Sequence, residues 1–329
     1  MATPTPAYTQ LTAFFNSNPG TRLHIEFHPT QPDAPLTILT SDTNIAVPKP
    51  LLLQALQTAY STFSSPSTTE QGILDSTLVL LLVAAENLTA VNARRRIILG
   101  KGANSGRDEI KLMESFLTSP LKKHNKSPLL WSYRRWLTER FGVLEEGIEA
   151  ELTVVEISGE VHPRNYYAWN HARFATTFFL PRSPSGPQLP YVLERTANFA
   201  LSHVSDTSVW SFLQFLFFQT LEHPDSHSFR AQLADIVERS MQFAHEIARG
   251  HESVWVFVRT VLGSGELLDA GKRVELVGVL EGWVSRDVVD VEEAKRERIL
   301  EGRALEWIGK YQGGGGGGGG GGGVGGMSR

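Results

Sequence analysis

Residues 162–173 read His-Pro-Arg-Asn-Tyr-Tyr-Ala-Trp-Asn-His-Ala-Arg, and variants of this stretch recur along the chain. The recurrences are marked by four tryptophans, Trp131, Trp169, Trp210 and Trp255, at spacings of 38, 41 and 45 residues. A fifth copy, which lacks its tryptophan, is centred near Val91. A repeat period near forty residues is typical of stacked helical hairpins, each of which buries its apolar side against its neighbours.

The residues before and after these anchor positions predict how each repeat begins and what it contacts. Four positions earlier stands a short polar residue that can accept a hydrogen bond from the next turn, which predicts a helix N-cap. These residues are Asn87, Ser127, Asn165 and Asp206, whereas the fifth repeat has His251, a weaker cap. Three and four positions after the anchor stand arginines, namely Arg94 and Arg95, Arg134 and Arg135, Arg173, and Arg259.

This spacing places the arginines on the same helix face as the tryptophan. A tryptophan in the core with an ion-paired arginine beside it explains the repeat without any chemistry, so we interpret the repeat as scaffold first. From about residue 70 to 311 the apolar residues follow helical spacing, and each anchor helix is preceded by a second amphipathic segment. The sequence therefore predicts an all-α solenoid of helix pairs.

The two ends of the chain differ from the repeats. We expect an irregular N-terminal segment, residues 1–66, packed on the solenoid, then a repeat domain over 67–311 and a flexible glycine-rich tail over 312–329. Within the first segment, His24–His28 alternates polar and apolar residues as an edge strand does. A metal site formed by its two histidines and its glutamate is an alternative interpretation of the same pattern.

Composition limits the classes of function. The 329 residues contain no cysteine, which excludes disulfides, thiolate zinc sites and a thiol nucleophile and favours a reducing compartment. The N-terminus lacks the features of a secretory signal, and the longest apolar run, 78–85, is far shorter than the roughly 20 residues of a membrane span. A net charge of −4 gives no overall attraction to nucleic acid, although a local basic patch remains possible. We expect a cytoplasmic protein.

Residues 126–136, 162–173, 203–210 and 250–255 together resemble the α-subunit repeat of protein prenyltransferases, which runs Asn-Tyr-x-x-Trp-x-x-Arg-Arg. The His-Val-Ser-Asp and Gly-His-Glu blocks at 203–206 and 250–252 are most similar to a divergent branch, the protein prenyltransferase α-subunit repeat-containing proteins. The resemblance implies a right-handed α-α superhelix that pairs with a β subunit. That partner would carry the catalytic zinc and the lipid pocket, so no cofactor or metal is expected in this chain.

The resemblance also implies site residues. Arg164 stands where the family has a lysine that reaches the isoprenoid diphosphate, and an arginine there keeps the charge. Tyr166 is expected to line the same site, and Lys126 and Asn165 are the further binding candidates. The alternatives are that Arg164 is a solvated residue outside a helix cap, that Tyr166 packs on the next hairpin, and that Lys126 is a surface charge.

Two functions remain open from the sequence. The first is an α-type subunit of a prenyltransferase, of the geranylgeranyl type, that helps transfer an isoprenoid to a C-terminal cysteine of a small GTPase or SNARE-like protein. The second is a diverged, non-catalytic scaffold that binds proteins. Departures from the family pattern matter here, because the first repeat lacks its tryptophan, the fourth lacks both arginines, and no clear copy follows residue 265.

Overall fold

The computed structural model describes residues 4–29, 36–142, 147–182, 188–248, 250–285 and 292–312, and it divides into two units at Gln188 and Leu189. The first unit begins with two helices and a small sheet. These elements are α1 (Pro6–Asn16), β1 (His24–His28), β2 (Leu39–Ser41), β3 (Asn44–Pro48) and α2 (Lys49–Phe63). None of the helices in the described ranges is both long and apolar enough to cross a membrane.

The sheet has the order β1-β3-β2, with β1 parallel to β3 and β2 antiparallel to it. The predicted strand at 24–28 is therefore confirmed, and it lies at one edge. Ile25 and Ile45 are paired in register and buried. The segment packs on the repeats as expected, since the backbone N–H of Leu23 donates to Ser115 Oγ at 2.8 Å.

The expectation that residues 1–66 are irregular is wrong for the stretch after the sheet. Residues 49–63 form α2, which begins with Pro50 in its first turn and buries Leu51, Leu52 and Ala55. Proline is compatible with the first turn of a helix because the N–H groups there have no intrahelical partner. Pro50 is therefore the sequence signal for the start of α2.

Helical hairpins follow in both units, which confirms the predicted all-α helical-repeat fold. In the first unit they are α3 (Glu70–Val83) with α4 (Leu88–Lys101), α5 (Ala103–Leu117) with α7 (Pro128–Phe141), and α8 (Gly147–Val161) with α9 (Tyr166–Phe179). A single turn, α6 (Lys122–Asn125), precedes α7. In the second unit they are α10 (Leu189–Ser202) with α11 (Thr207–Leu221), α12 (Arg230–Glu246) with α13 (Glu252–Ser264), and α14 (Ala270–Ser285) with α15 (Glu292–Gln312). Successive hairpins pack against each other within each unit.

The anchor and cap positions have the predicted roles. All four tryptophans, Trp131, Trp169, Trp210 and Trp255, are buried in the cores of their units. The side chains of Asn87, Ser127, Asn165 and Asp206 each accept a backbone N–H of the following turn, at 3.0, 3.0, 3.3 and 2.8 Å. His251 precedes α13 without a side-chain cap bond. Burial of the rings and satisfaction of the helix ends together fix where each anchor helix begins.

The hairpin of α14 and α15 lies within the predicted repeat domain, but its sequence carries no clear copy of the repeat motif. Trp307 of α15 packs on the backbone of α13 at Gly263, where an added Cβ would lie 2.4 Å from the ring. Glu301 of α15 is buried and accepts a hydrogen bond from His245 Nδ1 at 2.8 Å. The predicted glycine-rich tail, 312–329, lies outside the described residues except for its first position.

Candidate functional site

The arginine three positions after the anchor is part of the scaffold in the first two repeats. Arg94 Nε and Nη2 donate to the two oxygens of Glu109, both at 2.6 Å, and Arg134 Nε and Nη2 donate to Glu151 at 2.8 and 3.1 Å. All four side chains are buried. Each glutamate belongs to the next hairpin, so each pair ties successive repeats together through a bidentate contact.

Glu151 has further partners. Thr138 Oγ1 donates to it at 3.2 Å, and His171 Nε2 lies 2.6 Å from its Oε2. Burial opposes the charged form, but Arg134 and His171 hold the pKa of Glu151 well below its usual value. Burial lowers the pKa of His171. Neutral His171 therefore donates to the Glu151 carboxylate, and Arg134 supplies the compensating charge.

The arginine four positions after the anchor contacts aromatic rings instead. The guanidinium carbon of Arg95 lies 5.3 Å from the centroid of the Trp136 ring, and that of Arg135 lies 4.4 Å from Phe174. These rings belong to the next anchor helix. In the second unit Arg259 lies 5.8 Å from Trp307, which is the corresponding contact from α13 to α15. Arg173 is half-buried on α9, and burial lowers its pKa.

The candidate ligand-binding residues lie together where α8 turns into α9. Arg164 is exposed and has φ of 60°, in the left-handed region that residues with a side chain seldom adopt. Lys126 Nζ donates to the backbone oxygen of Pro163 at 2.8 Å and to that of Arg164 at 3.5 Å. Tyr166 opens α9 with 65% of its surface exposed. The turn thus presents a guanidinium and a phenol on one edge of the hairpin.

Asn165 holds this turn from inside. Its side chain is fully buried, and Nδ2 donates to Asn125 Oδ1 at 2.7 Å and to Ser158 Oγ at 2.9 Å. Its Oδ1 accepts the N–H of Ala168. Asn165 is therefore buried and supports the turn, and its predicted binding role remains a prediction. Lys126 is half-buried and donates to backbone oxygens of the turn, and its binding role remains a prediction.

The arrangement limits the possible chemistry. Arg164 and Tyr166 can bind and orient an anion, since they offer hydrogen-bond donors and a positive charge. In the described part of the chain, no group of three His, Asp or Glu side chains is placed to hold a metal ion. The histidines and the glutamate at 24–28 are among the side chains to which this applies. The ligand roles of Arg164 and Tyr166 remain predictions.

The carboxylates of the scaffold were not predicted from the sequence. Glu109 and Glu151 are 42 residues apart, close to the repeat period, and each stands among the buried residues of its helix. An acidic residue that recurs at the repeat period on an apolar helix face is a signal for a buried partner, because an unpaired charge is rarely buried.

Comparison with known proteins is consistent with this geometry. A family profile described as the ECM9 middle domain matches residues 130–238, about a third of the chain. Protein ECM9 of Saccharomyces cerevisiae is 25% identical over 228 residues, which are 60% of this chain and 58% of that protein. Human protein prenyltransferase alpha subunit repeat-containing protein 1 is 24% identical over 262 residues, 64% of this chain and 63% of that protein.

The human geranylgeranyl transferase type-2 subunit alpha is 24% identical over 208 residues, which are 61% of this chain and 35% of that subunit. The chain thus spans about a third to three fifths of the length of the relatives that it matches. The similarity is distant but agrees with the repeat pattern and with the hairpins described above. At this level of identity the chain is similar both to protein ECM9 and to the protein prenyltransferase alpha subunit repeat-containing protein.

Proposed function

We propose that this chain is the α-type subunit of a heterodimeric protein prenyltransferase. It would act in the cytosol with a zinc-bearing β subunit and transfer an isoprenoid, of the geranylgeranyl type, from its diphosphate to a C-terminal cysteine of a small GTPase or SNARE-like protein. The observation that carries the proposal is the turn at 163–166, which presents Arg164 and Tyr166 on the surface. The resemblance implies that Arg164 stands where the family has its diphosphate-binding lysine. Similarity to a geranylgeranyl transferase α subunit supports it.

The geometry suggests how the chain would contribute. Zinc on the partner would hold the acceptor cysteine as a thiolate, the nucleophile that replaces the diphosphate. The guanidinium of Arg164 would bind two oxygens of the diphosphate and stabilise the charge that develops on it as it leaves. The left-handed backbone of Arg164 costs about 1 kcal/mol, and such strain is found preferentially at functional sites. Lys126 and Asn165 hold the turn and keep this side chain on the surface.

The test is co-expression with each prenyltransferase β subunit of the same organism. Co-purification and the transfer of labelled geranylgeranyl or farnesyl diphosphate to cysteine-ended acceptors are measured. We expect Arg164→Ala to pair normally but to transfer about 10²-fold more slowly, the usual effect of losing one donor to developing charge. Arg164→Lys should keep most of the activity. Arg107→Ala, which removes an exposed arginine on α5, is the control and should change neither property.

A second candidate function is a non-catalytic scaffold. One observation favours it: Lys126, the other cation near the turn, donates to backbone oxygens and so serves the fold. Similarity to Protein ECM9 is compatible with both functions. Failure to pair with any β subunit would exclude the first proposal. A stable pair that transfers no isoprenoid would favour the scaffold, and transfer that is unchanged in Arg164→Ala would exclude the role of Arg164.

A further inference from the structure

The two helices of each hairpin in the first unit carry opposite charge. The anchor helices α4, α7 and α9 contain eight lysines and arginines against one acidic residue, Glu139, a formal charge of +7. The preceding helices α3, α5 and α8 contain two basic and nine acidic residues, a formal charge of −7. The chain as a whole carries −4. Charge is thus separated between the two helix layers.

Only some of these basic side chains form ion pairs inside the protein. Arg94 and Arg134 are neutralised by the buried glutamates of the next hairpin. A strip of exposed and half-buried side chains remains along the solvent side of the anchor helices and the turn after α9. We call it the arginine face, and its residues are Arg95, Arg96, Arg135, Trp136, Phe174, Phe178 and Arg182.

Ring contacts and chain neighbours join six of these residues, and Arg96 is the exposed neighbour of Arg95 in the chain. Arg95 lies over Trp136, the neighbouring Arg135 lies over Phe174, and the Phe174 and Phe178 centroids are 5.4 Å apart. Arg182 lies over Phe178, with its guanidinium carbon 4.4 Å from the ring centroid. Arginine laid on a ring is held in place while its outer edge still offers donors. The strip therefore presents guanidinium groups that are already oriented, which lowers the entropic cost of binding an anion.

Carboxylates are scarce along the strip. Within the described residues, the acidic group in salt-bridge contact with it is Glu139, which accepts from Arg135 Nε at 3.1 Å and is itself exposed. No carboxylate of the described chain contacts Arg95, Arg96 or Arg182. Four arginines with one exposed carboxylate make this surface complementary to an acidic partner.

The aromatic rings of the arginine face distinguish between two possible partners, a single-stranded nucleic acid and an acidic protein segment. Proteins that bind single-stranded nucleic acid use free aromatic faces, on which bases stack. Here Trp136, Phe174 and Phe178 each have a guanidinium over the ring. This arrangement favours carboxylates of a protein segment, the anion that Arg94, Arg134 and Arg135 already bind within this chain.

We propose that the arginine face is a docking surface for an acidic segment of a partner protein, rich in aspartate and glutamate. The proposal is independent of prenyl transfer, because Arg164 and Tyr166 are not among its residues. Binding should depend strongly on salt, since exposed charges are screened beyond a Debye length of about 10 Å at 0.1 M.

The test uses the full chain and a fluorescent ten-residue glutamate peptide, measured by anisotropy. The face variant is Arg96→Glu with Arg135→Glu and Arg182→Glu. The matched control is Lys49→Glu with Arg107→Glu and Arg303→Glu, three exposed residues elsewhere that give the same change in net charge. Circular dichroism and the unfolding midpoint establish that both variants fold before binding is compared.

We expect the wild-type chain to bind the peptide and to lose affinity about tenfold or more between 0.05 and 0.3 M salt. The face variant should bind about tenfold more weakly than wild type at low salt, and the control within about twofold. Equal weakening in both variants would show an effect of net charge alone and overturn the proposal. Tighter binding of a ten-nucleotide single-stranded RNA or of anionic phosphatidylserine vesicles than of the peptide would also overturn it.

Discussion

Glu151→Gln is the substitution whose effect follows most directly from the structure. The change removes the negative charge beside Arg134, whose Nε and Nη2 donate to the Glu151 carboxylate at 2.8 and 3.1 Å. Both side chains are buried. Breaking a buried pair by removing one charge costs about 3–5 kcal/mol, because the remaining guanidinium is buried without compensation. We expect the free energy of unfolding to fall by this amount.

Urea unfolding followed by tryptophan fluorescence measures this effect, since Trp131 lies 5.2 Å from the ring of His171 in the same network. With a slope of about 3 kcal/mol per molar urea, the midpoint should fall by about 1 M or more. Glu139→Gln is the control. It removes an exposed partner of Arg135, so its cost should be about 0–1 kcal/mol.

A double variant tests the reasoning further. Arg134→Met with Glu151→Met removes both charges, so no uncompensated charge remains in the core. Replacing a buried pair by apolar residues is often neutral in cost. We expect the double variant to be more stable than Glu151→Gln alone. Equal midpoints for Glu151→Gln and Glu139→Gln would refute the assignment of this pair to the scaffold.

Three further predictions concern pH, capping and packing. Burial lowers the pKa of His171 below its ordinary 6.5, so the unfolded chain binds this proton at a higher pH than the folded chain does. The free energy of unfolding should therefore be highest above pH 6.5 and fall as the pH drops towards the folded pKa. Urea midpoints from about pH 7.5 to 5 measure this fall, which should be less steep in His171→Gln. His251→Asp should supply the missing cap of α13 and stabilise the chain by about 0.5–1 kcal/mol, and an unchanged thermal midpoint would contradict this. Gly263→Ala should lower the free energy of unfolding in urea by about 1–3 kcal/mol, because the new Cβ would lie 2.4 Å from a tryptophan ring of α15. Gly278→Ala, where the Cβ would enter open space, is the control and should be neutral or stabilising.

The repeat and its helix starts were predicted correctly from the sequence. Trp131 and its equivalents recur near the forty-residue period, and Asn87, Ser127, Asn165 and Asp206 precede their helices as caps. These features depend on residues a few positions apart, so local spacing is enough to identify them. The edge strand at 24–28 was found for the same reason.

Other features required the tertiary structure. The sequence did not show that Lys126 would reach the turn at 163–164, or that the amide of Asn165 would turn inward to Asn125. These contacts join residues about forty positions apart. Lys126 and Asn165 thus contact the turn, on whose surface Arg164 and Tyr166 are exposed.

By itself the sequence determined the helical repeat, the residues that begin each anchor helix, and the resemblance to the prenyltransferase α-subunit repeats. The tertiary structure decided which carboxylate neutralises each buried arginine, that a hairpin without an anchor tryptophan follows residue 265, and that the remaining arginines line one face. The physical reason is that helix periodicity and capping are set by neighbouring residues, whereas charge pairing and surface composition depend on which hairpins stack and in what register.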